Sequence, residues 1–180
     1  SKILSDSKLR LGNEISRSTT ITTQTTDPDD YKKKKTNLQK QQESYDKQFE
    51  ELGAELEIGK ITQAEYNKAL GELNIKMYAQ AKGTGDKEVL ESQYFQNLKT
   101  AAEKAIRNQD KNAALVEFEK VQKDYNTKVR EAQAQQAKGL ISQKELNSNI
   151  VSLSVEAAKS AAGIKGIGDE ADVFISVMQL

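Results

Sequence analysis

Two of the side chains that most often do chemistry are missing from this 180-residue chain, which has no His and no Cys. Their absence removes the commonest general base, the commonest thiol nucleophile and most transition-metal ligands. Carboxylates remain, 27 of them, matched by 27 Lys and Arg. Neighbouring acids such as Glu50/Glu51 and Glu117/Glu119 could share a proton if an apolar pocket raised one carboxyl. They fall instead in charged stretches of helical period, where such pairs are solvated faces. No catalytic residue is assigned.

Calcium is the metal that carboxylates alone could hold. The stretch Gly59-Lys60-Ile61-Thr62 with Glu65 and Tyr66 matches the back half of an EF-hand loop. Placing Gly59 at the loop's invariant glycine puts Ala54, Leu56 and Ile58 where oxygen ligands belong. Ala134, Gln136 and Lys138 stand there in a second copy of the motif, so no metal is expected. Gly83-Thr84-Gly85 and the Gly163 to Gly168 stretch have no preceding strand and no Gly-Lys-Ser/Thr ending, and read as helix-breaking turns rather than phosphate loops. Lys32 to Lys35 follow acids and are not interleaved with aromatics, which describes a solvated helix surface better than a nucleic-acid patch. The zero net charge removes any global attraction to nucleic acid or anionic membrane. The tyrosines (Tyr31, Tyr45, Tyr66, Tyr78, Tyr94, Tyr125) fall on or beside apolar stripes and read as seam residues. No cofactor is expected.

The elements that would position these residues are helices. Gly59, Ile61, Thr62 and Glu65 form a corner that stops one helix and starts the next. Glycine enters the left-handed conformation after a helix end at least cost. Thr and Glu three apart make a reciprocal capping box, and the apolar residue before the cap can staple the first turn. The chain builds this corner again 80 residues later (139 − 59 = 80) as Gly139, Ile141, Ser142 and Glu145. Eight of the 25 positions in 59–83 are identical to their partners in 139–163. Leu38, Tyr45, Phe49 and Leu52 recur as Phe118, Tyr125, Val129 and Ala132, and Tyr66, Leu70, Leu73 and Met77 as Leu146, Ile150, Leu153 and Ala157. After Gly163 three residues read as inserted, so that Gly166-Ile167-Gly168-Asp169 echoes Gly83-Thr84-Gly85-Asp86.

The resulting expectation is an all-α chain of elongated antiparallel hairpins, coiled-coil-like in its seams, with an internally duplicated three-helix unit. Residues 1–26, rich in Thr and polar, are expected as an extended arm; 27–108 as the first unit; and 109–180 as the second, with a short last helix. The first helix is expected over 28–58, started by an Asp27 cap and Pro28, with the lysine run on its first turns. A third helix is expected from an Asp86 cap through Leu90, Tyr94, Leu98, Ala101 and Ala105, and an interruption within 108–112. Hydrophobic residues are 36% of the chain, against about 45–50% in average globular domains, so the core should be thin. No stretch reaches the roughly 18 apolar residues of a membrane span, and a soluble chain is expected. The apolar ending must dock, by closing the bundle, meeting a partner, or belonging to something longer. Ile21 in the arm and Val173, Phe174, Val177 and Leu180 at the end are the candidate interface.

The corner pattern G-x-I-[ST]-x-x-E-[YL]-N resembles segments of phage tail tape-measure proteins and other helical phage virion components. Gly59, Ile61, Thr62, Glu65, Tyr66 and Asn67, then Gly139, Ile141, Ser142, Glu145, Leu146 and Asn147, carry the likeness, which spans roughly 30–165. It implies a structural role inside a viral particle and no enzymatic site. The expected function is accordingly a structural or assembly protein whose partners are protein subunits, as a homo-oligomer or within a larger assembly. A helical adaptor, chaperone or effector module that captures a partner helix is the alternative.

Overall fold

The computed structural model describes residues 34–178, and among these the chain is all-α, with seven helices and no strand. They are α1 (Asn37–Glu57), α2 (Gln63–Gly83), α3 (Lys87–Leu90), α4 (Gln93–Arg107), α5 (Gln109–Ala137), α6 (Gln143–Ala162) and α7 (Asp169–Met178). They divide into two compact units, the first through Gln109 and the second from Asp110. The expected extended arm and the Asp27-Pro28 helix start lie outside the described residues.

The first unit is a three-helix bundle with α2 packed on both α1 and α4. Leu38 and Tyr45 from α1, Tyr66, Leu70, Leu73 and Met77 from α2, and Tyr94 and Leu98 from α4 form one continuous core. Phe49, Leu52 and Leu56 continue the α1 seam, half-buried against it. Burying such a stripe, more than helix propensity, is what holds helices of this length.

Helix boundaries differ from expectation in two places. Lys34 and Lys35 precede α1 instead of riding on its first turns, because Thr36 is the N-cap. Its side chain accepts from the Gln39 N–H while the Gln39 side chain accepts from the Thr36 N–H, a complete capping box. The third helix is also broken in two. Asp86 caps only the four-residue α3, and Ser92 caps α4 by accepting from the Phe95 N–H. The hydroxyl of Ser92 also donates to the Val89 carbonyl at 2.6 Å, tying the break together. The break lets Val89, not Leu90, enter the core. A single residue, Asn108, separates α4 from α5.

The second unit repeats α1 and α2 as α5 and α6. Its core cluster is smaller, with Ala114, Phe118, Ala161 and Ile167 at its centre and Val121, Ile164 and Phe174 packed beside them, while Ala132, Leu146 and Ala157 are buried outside that cluster. Gly85 and Gly168, with φ of +60° and +64°, correspond across the expected three-residue insertion, but the packing returns to the original spacing beyond them. Tyr94 meets Tyr45 edge-on, and Phe174 meets Tyr125 edge-on, so Phe174 stands for Tyr94 at the original spacing (174 − 94 = 80). Both units place this aromatic eleven residues after the hairpin's closing glycine (94 − 83 = 174 − 163 = 11). The first unit uses the interval for α3 and a break, the second for a turn that buries Ile167 before α7.

Candidate functional site

The two corners share their turn and cap bonds. Gly59 and Gly139 have φ of +75° and +73°, the left-handed region that a side chain resists. The Gly59 N–H donates to Leu56 O and the Lys60 N–H to Glu55 O; the Gly139 N–H donates to Gln136 O and the Leu140 N–H to Gln135 O. These paired bonds are a Schellman ending, which satisfies the last carbonyls of α1 and α5. Thr62 and Ser142 then cap α2 and α6, with Glu65 and Glu145 returning to the cap backbone. The Ser142 N–H donates to Glu145 at 2.6 Å and holds this carboxyl below the usual carboxylate range, the Ser142 hydroxyl adding to the effect. Ile61 and Ile141 are half-buried beside the caps, and Ile61 packs against the first core. All eight corner residues are thus engaged in turning the chain.

Across each hairpin runs a polar clasp that the sequence reading did not single out. The Tyr45 hydroxyl donates to Asn74 Oδ1 at 2.9 Å, with Tyr45 fully buried and Asn74 7% exposed. The residues 80 positions on, Tyr125 and Ser154, lie 3.2 Å apart. Ser154 gives its one proton to the Ile150 carbonyl at 2.8 Å, so Tyr125 donates here too. The neighbouring cross-hairpin pair is also repeated with its cation on the opposite helix. Lys76 of α2 donates to Gln48 of α1 at 2.9 Å, whereas Lys128 of α5 faces Glu156 of α6 at 3.7 Å and Asp124 of its own helix at 3.1 Å. Asp124 first, then Glu156, raises the Lys128 pKa. Asn74, a polar residue inside the Leu70–Met77 stripe, was the available signal for the clasp.

Around the first clasp the ring of Tyr45 stacks on Phe49 and meets Tyr94 edge-on, while the Tyr94 hydroxyl donates to the Gln41 carbonyl at 3.2 Å. Burial raises the pKa of Tyr45, Tyr66 and Tyr94 above the ordinary phenol value; Asp46 adds to the rise at Tyr45 and Tyr94. The Tyr66 hydroxyl is buried without a hydrogen-bond partner. None of these phenols reaches solvent, and their arrangement orders a core.

Open grooves lie beside both clasps. One of about 280 Å³ runs between α1 and α2, where Glu51, Glu55 and Glu72 surround an apolar floor of Leu52 and Leu73. Its counterpart between α5 and α6 is about 50 Å³. Among the described residues no group of three or more carboxylates is arranged to hold a metal ion. No helix of the described residues is long and apolar enough to cross a membrane.

Of the candidate interface, Val173 is 64% exposed on α7. Phe174 is instead engaged within its own unit, edge-on to Phe118 at 5.2 Å and to Tyr125 at 6.5 Å, so it closes the bundle. Ile21 and Leu180 lie outside the described residues, and of Val177 only the helical backbone is described. Exposed apolar side chains that sequence reasoning did not select are Val151 and Val155 on α6, 63% and 49% exposed, Ile106 at the end of α4, and Ile58 and Leu140 at the corners.

The described residues thus define a protein of duplicated helical hairpins, built around packing faces. No known family, curated protein or solved structure matches this chain.

Proposed function

We propose that this chain is a non-enzymatic structural or assembly protein that packs through helical faces against other protein subunits. The observation that carries this reading is the apolar face of α6, where Val151 and Val155 stand one turn apart in solvent beside a sparse core. The hydrogen bonds that recur in both halves lie in corners, clasps and caps, which supports a scaffold. The phage virion setting rests on the corner pattern of Gly59 to Asn67 and Gly139 to Asn147 and accords with slender, capped hairpins. A helical adaptor that captures a partner helix would use the same face as a stable monomer.

Lysine-directed cross-linking with mass spectrometry separates these readings from an isolated globule. Exposed lysines such as Lys144 and Lys159 border the α6 face. Assembly predicts links between chains at these positions in high yield. Links confined to single chains, with no partner attached, would count against it.

A further inference from the structure

The groove between α1 and α2 is open where its duplicate is nearly closed. Gln48, Leu73 and Lys76 line the first groove, and Lys128, Leu153 and Glu156 line the second at the same offset (128 − 48 = 153 − 73 = 156 − 76 = 80). In the second unit the chain supplies a cation of its own. Lys128 lies across the hairpin with its ammonium 3.1 Å from Asp124 and 3.7 Å from Glu156, and about 50 Å³ is left beside it. In the first unit uncharged Gln48 stands in its place, accepting from Lys76 at 2.9 Å, and about 280 Å³ stays open.

The open groove has an apolar floor and an acidic rim. Leu73 is buried and Leu52 half-buried, with Glu51, Glu55 and Glu72 around them and Lys76 the one cation in the lining. Lys60 reaches Glu55 at 3.4 Å, whereas Glu51 and Glu72 make no ion pair among the described residues. An aliphatic stem that ends in a cation matches such a floor and rim. The volume lies below the about 300–1,000 Å³ of small-molecule sites and suits side chains.

The complementary feature is in the same sequence. Lys32 to Lys35 are its one run of four lysines, and Lys34 and Lys35 stand exposed ahead of the Thr36 cap. Fifteen helical steps separate Thr36 from Glu51 (51 − 36 = 15), roughly 22 Å at 1.5 Å each. That is far beyond a lysine's reach, so these two lysines can meet only the groove of another copy. The spacing also fits. Alternate residues of an extended segment stand about 6.6 Å apart on one side, and Glu51 and Glu55, one turn apart on α1, about 6 Å.

We infer that the acid-rimmed groove of α1 and α2 seats the lysine run of a second copy, with stems on Leu52 and Leu73 and ammonium groups among Glu51, Glu55 and Glu72. The contact joins two different surfaces of one chain, so it repeats head to tail, as a ring or an open filament. This inference rests on the assembly reading and names how one copy meets the next. Exposed charges carry it, so it weakens as salt rises.

The test uses the full chain and a synthetic peptide of residues 30–37, with a control peptide whose four lysines are glutamines. Methyl NMR follows Leu52 and Leu73. The seat predicts saturable shifts at both with Kd about 1 mM or tighter, absent with the control. They should fade as salt shortens the screening length from about 30 Å at 0.01 M to about 3 Å at 1 M. Gln48→Lys with Lys76→Glu copies the second unit and keeps all three glutamates; it should abolish the shifts with circular dichroism unchanged. Glu51→Gln with Glu72→Gln is the second variant. In light scattering, a chain with Lys32→Gln, Lys33→Gln, Lys34→Gln and Lys35→Gln should lose self-association, as should the Gln48→Lys, Lys76→Glu chain. Mixing the two should restore a one-to-one pair and nothing larger, since one keeps the groove and the other the run. No saturation overturns the inference, as do shifts that survive Gln48→Lys with Lys76→Glu. Saturable binding by a chain of single-chain mass at every concentration overturns the second-copy assignment and gives the groove to a basic segment of another protein. A mass that climbs alike in every variant overturns the seat and leaves the assembly reading standing.

Discussion

Replacing Tyr45 by Phe removes one hydroxyl and leaves the ring contacts with Phe49 and Tyr94 in place. The cost therefore comes from Asn74, whose amide oxygen loses its 2.9 Å partner in a residue only 7% exposed. An orphaned buried polar group costs about 1–3 kcal/mol. At about 1.4 kcal/mol per tenfold, that raises the local opening constant of α2 by roughly 5- to 150-fold. Tyr125→Phe makes the same deletion in the second unit, where the oxygen pair is 3.2 Å apart, the tyrosine is half-buried and Ser154 keeps its bond to Ile150. Its cost should be no more than the ~0.5–1.5 kcal/mol of an ordinary net hydrogen bond. Hydrogen exchange resolved along the chain reads α2 and α6 separately, which matters because two units need not unfold together. Tyr45→Phe with Asn74→Leu should recover most of the loss, since both polar partners are then gone. Equal losses from the two tyrosines, or no recovery in the double variant, would refute the clasp argument.

Gly59→Ala and Gly139→Ala should each destabilise by about 1–2 kcal/mol, a backbone cost alone since nothing lies within 4 Å of the added carbon. Gly53→Ala, inside α1 with equally open space, should stabilise by about 0.5–1 kcal/mol; urea midpoints check all three. Thr36→Ala, Thr62→Ala and Ser142→Ala should each lose about 1 kcal/mol, whereas Thr36→Ser and Thr62→Ser should keep most of the cap. Alkaline titration should unfold the first unit. The folded pKa of Tyr45, Tyr66 and Tyr94 lies above the unfolded value near 10, so their contribution is complete below that pH and lost as pH rises past it. Phenolate absorbance and circular dichroism should therefore change together; phenolate appearing in a fully helical chain would contradict the burial. On the acid side Glu145 works the other way, its cap bond being present above the usual carboxylate pKa and lost as pH falls through its lowered one, which exchange at the Ser142 amide would report.

The corners were legible because their information is local. Gly59-x-x-Thr62-x-x-Glu65 contains both the left-handed residue and the capping box, and all of it acts within one turn. The seam of Leu38, Tyr45 and Phe49 was legible from its period for the same reason. Thr36 and Ser92 were passed over because stronger-looking signals stood nearby: Asp27-Pro28 in one case, and a stripe through Leu90 and Tyr94 in the other. A cap competes with the stripe, and at Ser92 the packing of Val89 decided it. The Tyr45–Asn74 clasp spans 29 residues, and no local pattern states which helix faces will meet. Phe174 was read from the sequence as an interface residue because apolar character near the end of α7 does not reveal whether its partner is Phe118 in the same unit or another chain. Val151 and Val155 were hidden in the opposite sense, since apolar character on a helix does not state whether the side chain ends in a core or in solvent.

Whether other subunits cover the open helical faces, as proposed, is read most directly from the mass in solution. Light scattering on the full chain, alone and as isolated with any companion, should give a mass that climbs with concentration or a fixed-ratio complex. A single-chain mass at every concentration, with no companion, would contradict it.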